Sequence, residues 1–266
     1  IDGYSQPGST PNNNPILAAN NARIAIILDS RNGHARRMDF AGDDPEDDTG
    51  YWDNESAVIG VLGATGFKLQ GVGILAVPAI EEGSVYLYGV SFAKGAQGQV
   101  CGCWIGVDVD GTTLAGPADG ITGFRYRVRR GGAVVQTITI DDLVIGVAPD
   151  AANAPAEFNV WAGIPMVPIL IEGNGTHIAG NFVNVLPDGL RDYNPAFDPT
   201  IPLGTFQGTI VIMRGGNNTV IGTDGDGVND ANERNVIGGT VPPALGGYDH
   251  TMEFFEPRPG THAVIA

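Results

Sequence analysis

Apolar residues fall in short runs, among them VYLYGVSF at 85–92, AVVQTITI at 133–140, MVPILI at 166–171 and TIVIM at 209–213. Gly, Asn and Pro interrupt them and helical periodicity is almost absent, so the pattern predicts short strands and an all-β fold. One block recurs between these runs: WIGVDVDG at 104–111, VIGVAPDA at 144–151, FVNVLPDG at 182–189 and VIGTDGDG at 220–227. Each reads as a short strand running into a tight turn. Aligned, the blocks put Asp110, Asp150, Asp188 and Asp226 in register, 40, 38 and 38 residues apart. A weaker copy without the Asp begins at Ala57 (AVIGVLGATG), and another begins at His262 (HAVIA). Ile1 and Ala266 both fall inside the pattern, so the array is expected to extend past both edges, as in a processed or incompletely traced product.

A repeat of this length suits one or two coils of a parallel β-helix with a long loop such as DYNPAFDPTIPLGT, and it suits a propeller blade as well. Asn and Gly placement favours the β-helix. Stacked corners need left-handed backbone positions and align side-chain amides in ladders; GNGTHIAGN (173–181), GGNNTVIG (215–222) and NERNVIGG (232–239) have that composition. The expected architecture is a single right-handed parallel β-helix domain over 1–266, with its clearest repeats at 95–240. Residues 31–56 (RNGHARRMDFAGDDPEDDTGYWDNES) fit no coil and are expected to form a loop insertion.

Forty Gly and 18 Pro mark a turn-dense chain, while 42% hydrophobic residues leave enough apolar material for a core. The 14 Lys and Arg stand against 30 Asp and Glu, a formal charge of -16 that repels polyphosphate and argues against nucleic acid. In the one basic cluster, FRYRVRR, period-2 spacing puts Arg125, Arg127 and Arg129 on one strand face, either solvated or facing an acidic glycan. Cys101 and Cys103 lie two apart in an expected strand, roughly 6.5–7 Å from one another, which disfavours a disulfide between them and suggests buried free thiols. No apolar run approaches the ~20 residues of a membrane helix.

Several segments resemble the parallel β-helix modules of large bacterial secreted and cell-surface proteins: IDGYSQPGSTPNNNP (1–15), CGCWIGVDVDGT (101–112), HIAGNFVNVLPDG (177–189), NNTVIGTDGDG (217–227) and RNVIGG (234–239). The resemblance implies the fold and an extracellular or cell-surface location. In this alignment Cys103 stands where a later coil has Asn181.

The strongest chemical signal is DGDGVNDANE, where Asp224, Asp226, Asp230 and Glu233 alternate with a Gly turn, as in the calcium loops of extracellular repeat proteins. Calcium takes six to eight hard oxygen ligands, which such spacing can converge. Asp226 also aligns with the turn Asp of three other blocks, where capping the turn suffices. A second acidic cluster, Asp43, Asp44, Glu46, Asp47, Asp48, Asp53 and Glu55, reads as a solvated or cation-bound loop.

β-Helices also host polysaccharide lyases and glycoside hydrolases, which makes Asp141, Asp142, His177, Lys68, Lys94, Arg191, Arg214 and Arg234 candidates for catalysis. None stands in a recognisable motif, and no residue is assigned a catalytic role. His34, His250 and His262 lack metal-ligand spacing. Tyr51, Trp52 and Tyr193 are candidate carbohydrate platforms, whereas Trp104 and Trp161 sit in apolar runs and are expected in the core. Asn54, Asn174 and Asn217 begin Asn-x-Ser/Thr sequons. The expected function is a non-catalytic extracellular structural or adhesive body, self-associating into an array or filament, calcium-stabilised and able to meet surface glycans. The alternative is a lyase or hydrolase acting on acidic glycans.

Overall fold

The computed structural model describes residues 1–32, 55–76, 86–189, 208–213, 216–238, 250–255 and 263–265. Its strands form three six-stranded sheets, and within each sheet every pair is parallel. The first sheet stacks Phe67–Gln70, Gly98–Cys101, Val144–Gly146, His177–Ala179, Thr219–Ile221 and Ala263–Ile265. The second stacks Ile26–Asp29, Val72–Leu75, Trp104–Ile105, Asn159–Trp161, Asn181–Val183 and Val236–Ile237. The third stacks Glu55–Leu62, Tyr86–Ala93, Asp119–Gly123, Ile169–Ile171, Gly208–Met213 and His250–Phe255. From Phe67 onward the chain visits first, second and third sheets in that cyclic order. The architecture is all-β with stacked parallel sheets, compatible with a parallel β-helix.

Pairing aligns like with like. In the first sheet Leu69, Val100, Ile145, Ile178 and Ile221 occupy one register column. In the second the column is Ile74, Ile105, Trp161 and Val183, and in the third Val90, Ile121, Ile169 and Ile210. All of these belong to a single buried cluster, so the three sheets share one core. Each such side chain is worth about 1.5–3 kcal/mol of hydrophobic transfer when fully buried.

Register also corrects the repeat read from the sequence. WIGVDVDG and FVNVLPDG start on the second sheet, whereas VIGVAPDA and VIGTDGDG start on the first. The four aligned Asp residues therefore alternate between two corners instead of forming one column. Lys68, Gln99, Val144, His177, Val220 and Val264 occupy one register column of the first sheet, so successive circuits of the three sheets, here called coils, span 31, 45, 33, 43 and 44 residues. The copy suspected at Ala57 lies in a third-sheet strand, Glu55–Leu62, and matches neither corner. The one at His262 supplies Ala263–Ile265, which pairs with Thr219–Ile221 as a first-sheet block should. Residues 33–54, the bulk of the expected insertion, lie outside the described residues, while Glu55 and Ser56 belong to a strand rather than to a loop.

Amide ladders build the corners. Between the first and second sheets, Cys103, Asn159, Asn181 and Asn235 occupy equivalent positions: Asn159 and Asn181 open their second-sheet pairing, and Cys103 and Asn235 stand just before theirs. Asn159 Nδ2 donates to Val100 O at 2.9 Å, Asn181 Nδ2 to Ile145 O at 2.9 Å and Asn235 Nδ2 to Ile178 O at 2.8 Å. Asn159 Nδ2 also reaches Asn181 Oδ1 at 3.0 Å, and Asn181 Nδ2 reaches Asn235 Oδ1 at 2.9 Å. Cys103 ends the ladder: its backbone N–H lies 2.9 Å from Asn159 Oδ1, and its thiol, in place of an amide, donates to Cys101 O at 3.2 Å and Leu69 O at 3.7 Å. Gly180 makes the tight turn before Asn181 at φ +67°, and a Cβ there would collide with Val147 and the Phe158 ring. A second ladder at the third-to-first corner joins Asp141, Asn174 and Asn217, with Asn174 N–H and Nδ2 on Asp141 Oδ1 at 3.1 and 3.0 Å and Asn217 N–H on Asn174 Oδ1 at 3.3 Å.

Replacing Asn181, which is wholly buried and also accepts from Trp161 Nε1 at 2.9 Å, strands several donors and acceptors at once. Asn181→Ala is expected to lose roughly 3–5 kcal/mol, read as a lower denaturant midpoint at unchanged slope. Asp119 supplies a pH signature. It is 4% exposed, accepts from Val167 N–H at 2.8 Å, and burial pushes its carboxyl from 3.8 up to about 7. The folded chain thus holds this proton more tightly than the unfolded chain does. Its contribution favours folding below pH about 4, declines as pH rises and is lost above about 7. Asp119→Asn is expected to stabilise the fold at pH 8 by on the order of 4 kcal/mol at most, read as a higher melting temperature, and to have no such benefit near pH 4.

Candidate metal centre

The strand Thr219–Ile221 runs into Gly222, at φ +102°, and a loop that returns to the second sheet at Val236–Ile237. Short polar residues fold this loop on itself. Thr223 Oγ1 donates to Asp230 Oδ1 at 3.0 Å and accepts from Gly225 N–H at 3.0 Å; Gly227 N–H also reaches Asp230 Oδ1, at 3.3 Å. Asn229 takes the left-handed conformation, φ +59°, and ties the loop to an earlier coil through Nδ2 on Ala151 O at 2.8 Å.

Three of the four expected ligands converge. Asp224, Asp230 and Glu233 each present an oxygen, and these lie within 4.8 Å of one another. Asp226 does not join them: its Oδ1 accepts from Val228 N–H at 2.6 Å, the turn-capping role. Asp224 is exposed, Asp230 is half-buried and Glu233 is 0% exposed. Glu233 Oε2 accepts from Asp224 N–H at 3.2 Å, while its Oε1 is buried without a hydrogen-bond partner; the neighbouring Thr223 hydroxyl has its single proton on Asp230. Burial pushes the Glu233 carboxyl up, and the charges of Asp224 and Asp230 add to that rise. His177 is buried with Nε2 unpartnered, and burial lowers its pKa against the opposing pull of Asp224. Chemically, the trio is a set of hard oxygen donors, suited to a calcium-like cation.

The other candidates are dispersed. Asp141 serves a corner ladder, and Asp142 sits at φ +56° in the same turn, with Gln97 Nε2 3.5 Å from its Oδ2. Lys68 Nζ bridges to Glu157 Oε1 at 3.2 Å, and Lys94 Nζ lies 4.9 Å from the centre of the Tyr126 ring. Arg125 packs on Glu172, itself 1% exposed, with Nε 3.6 Å from Oε2; Tyr126–Arg130 then pairs antiparallel with Ala133–Ile138 as a hairpin. Trp104 and Trp161 are buried. The Asn174 and Asn217 sequons fall at the third-to-first ladder. Asp43, Asp44, Glu46, Asp47, Asp48, Asp53, Asn54, Tyr51, Trp52, Tyr193, Arg191, Arg214, His34 and His262 lie outside the described residues.

Sequence reasoning overlooked three buried or half-buried acids, Asp119, Glu157 and Glu172. Only Glu157 left a signal, since it aligns with Glu233 when VIGVAPDA is matched to VIGTDGDG and the match is carried onward. Among the described residues no helix is long and apolar enough to cross a membrane. No family model, curated protein or solved structure matches the chain.

Cys101 and Cys103 are both free and buried. Burial raises both thiols, that of Cys103 to about 12, so neither is a thiolate at neutral pH. A thiol reagent such as DTNB is expected to label neither in the native protein and both after unfolding in guanidinium; native labelling would show the corner to be open.

Proposed function

We propose that the chain is a right-handed parallel β-helix and serves as a non-catalytic structural or adhesive body outside the cell, built to associate end to end. The observation that supports this is the edge geometry. Among the described residues, Val236–Ile237, His250–Phe255 and Ala263–Ile265 each pair with a strand on one side, so each of the three parallel sheets presents an edge strand. Parallel strands repeat by translation, so the far edge of one stack offers the hydrogen-bonding pattern that the near edge of another requires. Such a contact is head-to-tail and does not close, which yields filaments or arrays. Extracellular placement rests on the resemblance of the repeat segments to secreted β-helix modules. Surface glycans are a second class of partner, a reading that rests on the same resemblance.

Electron microscopy of the purified chain is the test. Rods or fibres with an axial repeat are expected, lengthening with concentration. Uniform monomers at high concentration would overturn the assembly reading. Release of unsaturated or reducing ends from acidic polysaccharides would favour a lyase or hydrolase instead.

A further inference from the structure

The loop at the candidate metal centre has an internal counterpart two coils earlier. First-sheet pairing runs Val144 to His177 to Val220, and second-sheet pairing runs Val160 to Phe182 to Val236, so both ends of the loop recur after 76 residues. GVAPDAANAPAEFNV at 146–160 therefore matches GTDGDGVNDANERNV at 222–236 without a gap. The hydrogen bonds match too. Ala148 N–H donates to Glu157 Oε2 at 2.9 Å as Asp224 N–H does to Glu233 Oε2 at 3.2 Å. Gly102 N–H meets Glu157 O at 3.0 Å as Gly180 N–H meets Glu233 O at 3.2 Å, and Ala156 N–H to Asn153 O repeats in Asn232 N–H to Asn229 O.

What differs is the source of positive charge. In the earlier loop, Lys68 Nζ lies 3.2 Å from Glu157 Oε1, and Gln99 Nε2 adds a bond to Oε2 at 3.0 Å. Moving two coils along the register replaces Lys68 by Val144 and Gln99 by His177. The same shift replaces Ala148 and Ala154 by Asp224 and Asp230. The later loop has thus exchanged an ammonium for an aliphatic side chain while gaining two carboxylates around a Glu that is 0% exposed, with Oε1 lacking a hydrogen-bond partner. Stripping water from a carboxylate beside two others is strongly unfavourable unless a counter-charge is supplied.

We infer that a calcium ion bound by Asp224, Asp230 and Glu233 takes the place that Lys68 fills beside Glu157. The dimensions suit it: oxygens bound about 2.4 Å from one ion lie at most about 4.8 Å apart, and the three carboxylate oxygens lie within 4.8 Å. Backbone carbonyls of the Gly-rich turn and water complete a shell of six to eight oxygens, which a loop of this kind supplies more readily than the rigid octahedron of magnesium. The ion also closes a structural circuit. Glu233 O holds Gly180 N–H, and Asn235 two residues on forms the last described rung of the corner ladder. The site goes beyond the assembly reading and stands whether or not the bodies associate.

The test uses the whole chain, stripped of metal with chelator. D224A/D230A recreates the Ala pair of the earlier loop. Calorimetric titration is expected to show this variant binding one calcium fewer than the wild type and losing the wild type's calcium-dependent rise in melting temperature. An unchanged stoichiometry and an unchanged rise would overturn the site. A second measurement needs no variant: Arg234, exposed beside Glu233, is a tryptic site. Calcium is expected to slow cleavage after Arg234 several-fold in the wild type, with magnesium far less effective. A cleavage rate indifferent to calcium would overturn the inference even if D224A/D230A failed to fold.

Discussion

The polar chemistry of the corners governs this fold. Strand hydrogen bonds look after the backbone along each sheet, but where the chain turns from one sheet to the next its amides and carbonyls point into a buried junction. Asn meets that demand because one side chain carries both a donor and an acceptor. Asn159, Asn181 and Asn235 each use Nδ2 on a carbonyl of a neighbouring coil, and the Oδ1 of Asn181 takes both the Asn159 amide and the Trp161 indole. A one-residue slip of one coil would break every such bond while turning its core residues outward. Corner and core therefore enforce the same register.

That shared demand explains what could be read from the chain and what could not. Short apolar runs between Gly and Asn turns identify strands because period and turn chemistry are local. The Asn at 181 and 235 and the Gly at 180 were legible as corner residues for the same reason. Coil length was not legible. First-to-second and second-to-third corners impose similar grammar on their sequences, so a block closing on Asp-Gly or Asp-Ala recurs at both, and its spacing of 38 to 40 residues mixes them. Only pairing separates them, since Trp104 meets Val160 and not Val144. The true long period spans two coils, 76 residues from Val144 to Val220.

Site residues follow the same division. Asp224, Asp230 and Glu233 were legible because their alternation with Gly is a local signature, and the structure gathers all three. Asp226 was expected with them because spacing cannot tell a carboxylate that turns inward from one spent on its own turn. Asp119 and Glu172 were not legible as sites, and Glu157 only through its alignment with Glu233, because what surrounds them comes from coils far away in sequence: Val167 for Asp119, Lys68 and Gln99 for Glu157, Arg125 for Glu172. Burial of an acid in a stacked fold is a property of register, and no window of sequence contains it.

Stacking also explains how two copies of one loop can reach different chemistry. The Glu at the end of each loop is fixed by two backbone duties, its carboxylate on an N–H within the loop and its carbonyl on the Gly of the previous short corner. Those duties hold the carboxylate near the junction whatever lies beneath it. Its counter-charge, by contrast, comes from the coils below, at positions whose side chains belong to a sheet and answer to different packing. Lys68 can reach Glu157 past Gln99; Val144, two coils on, cannot answer Glu233 past His177. The later loop thus has the acid without the base, and the acids at 224 and 230 deepen the deficit of positive charge that the proposed calcium ion would offset.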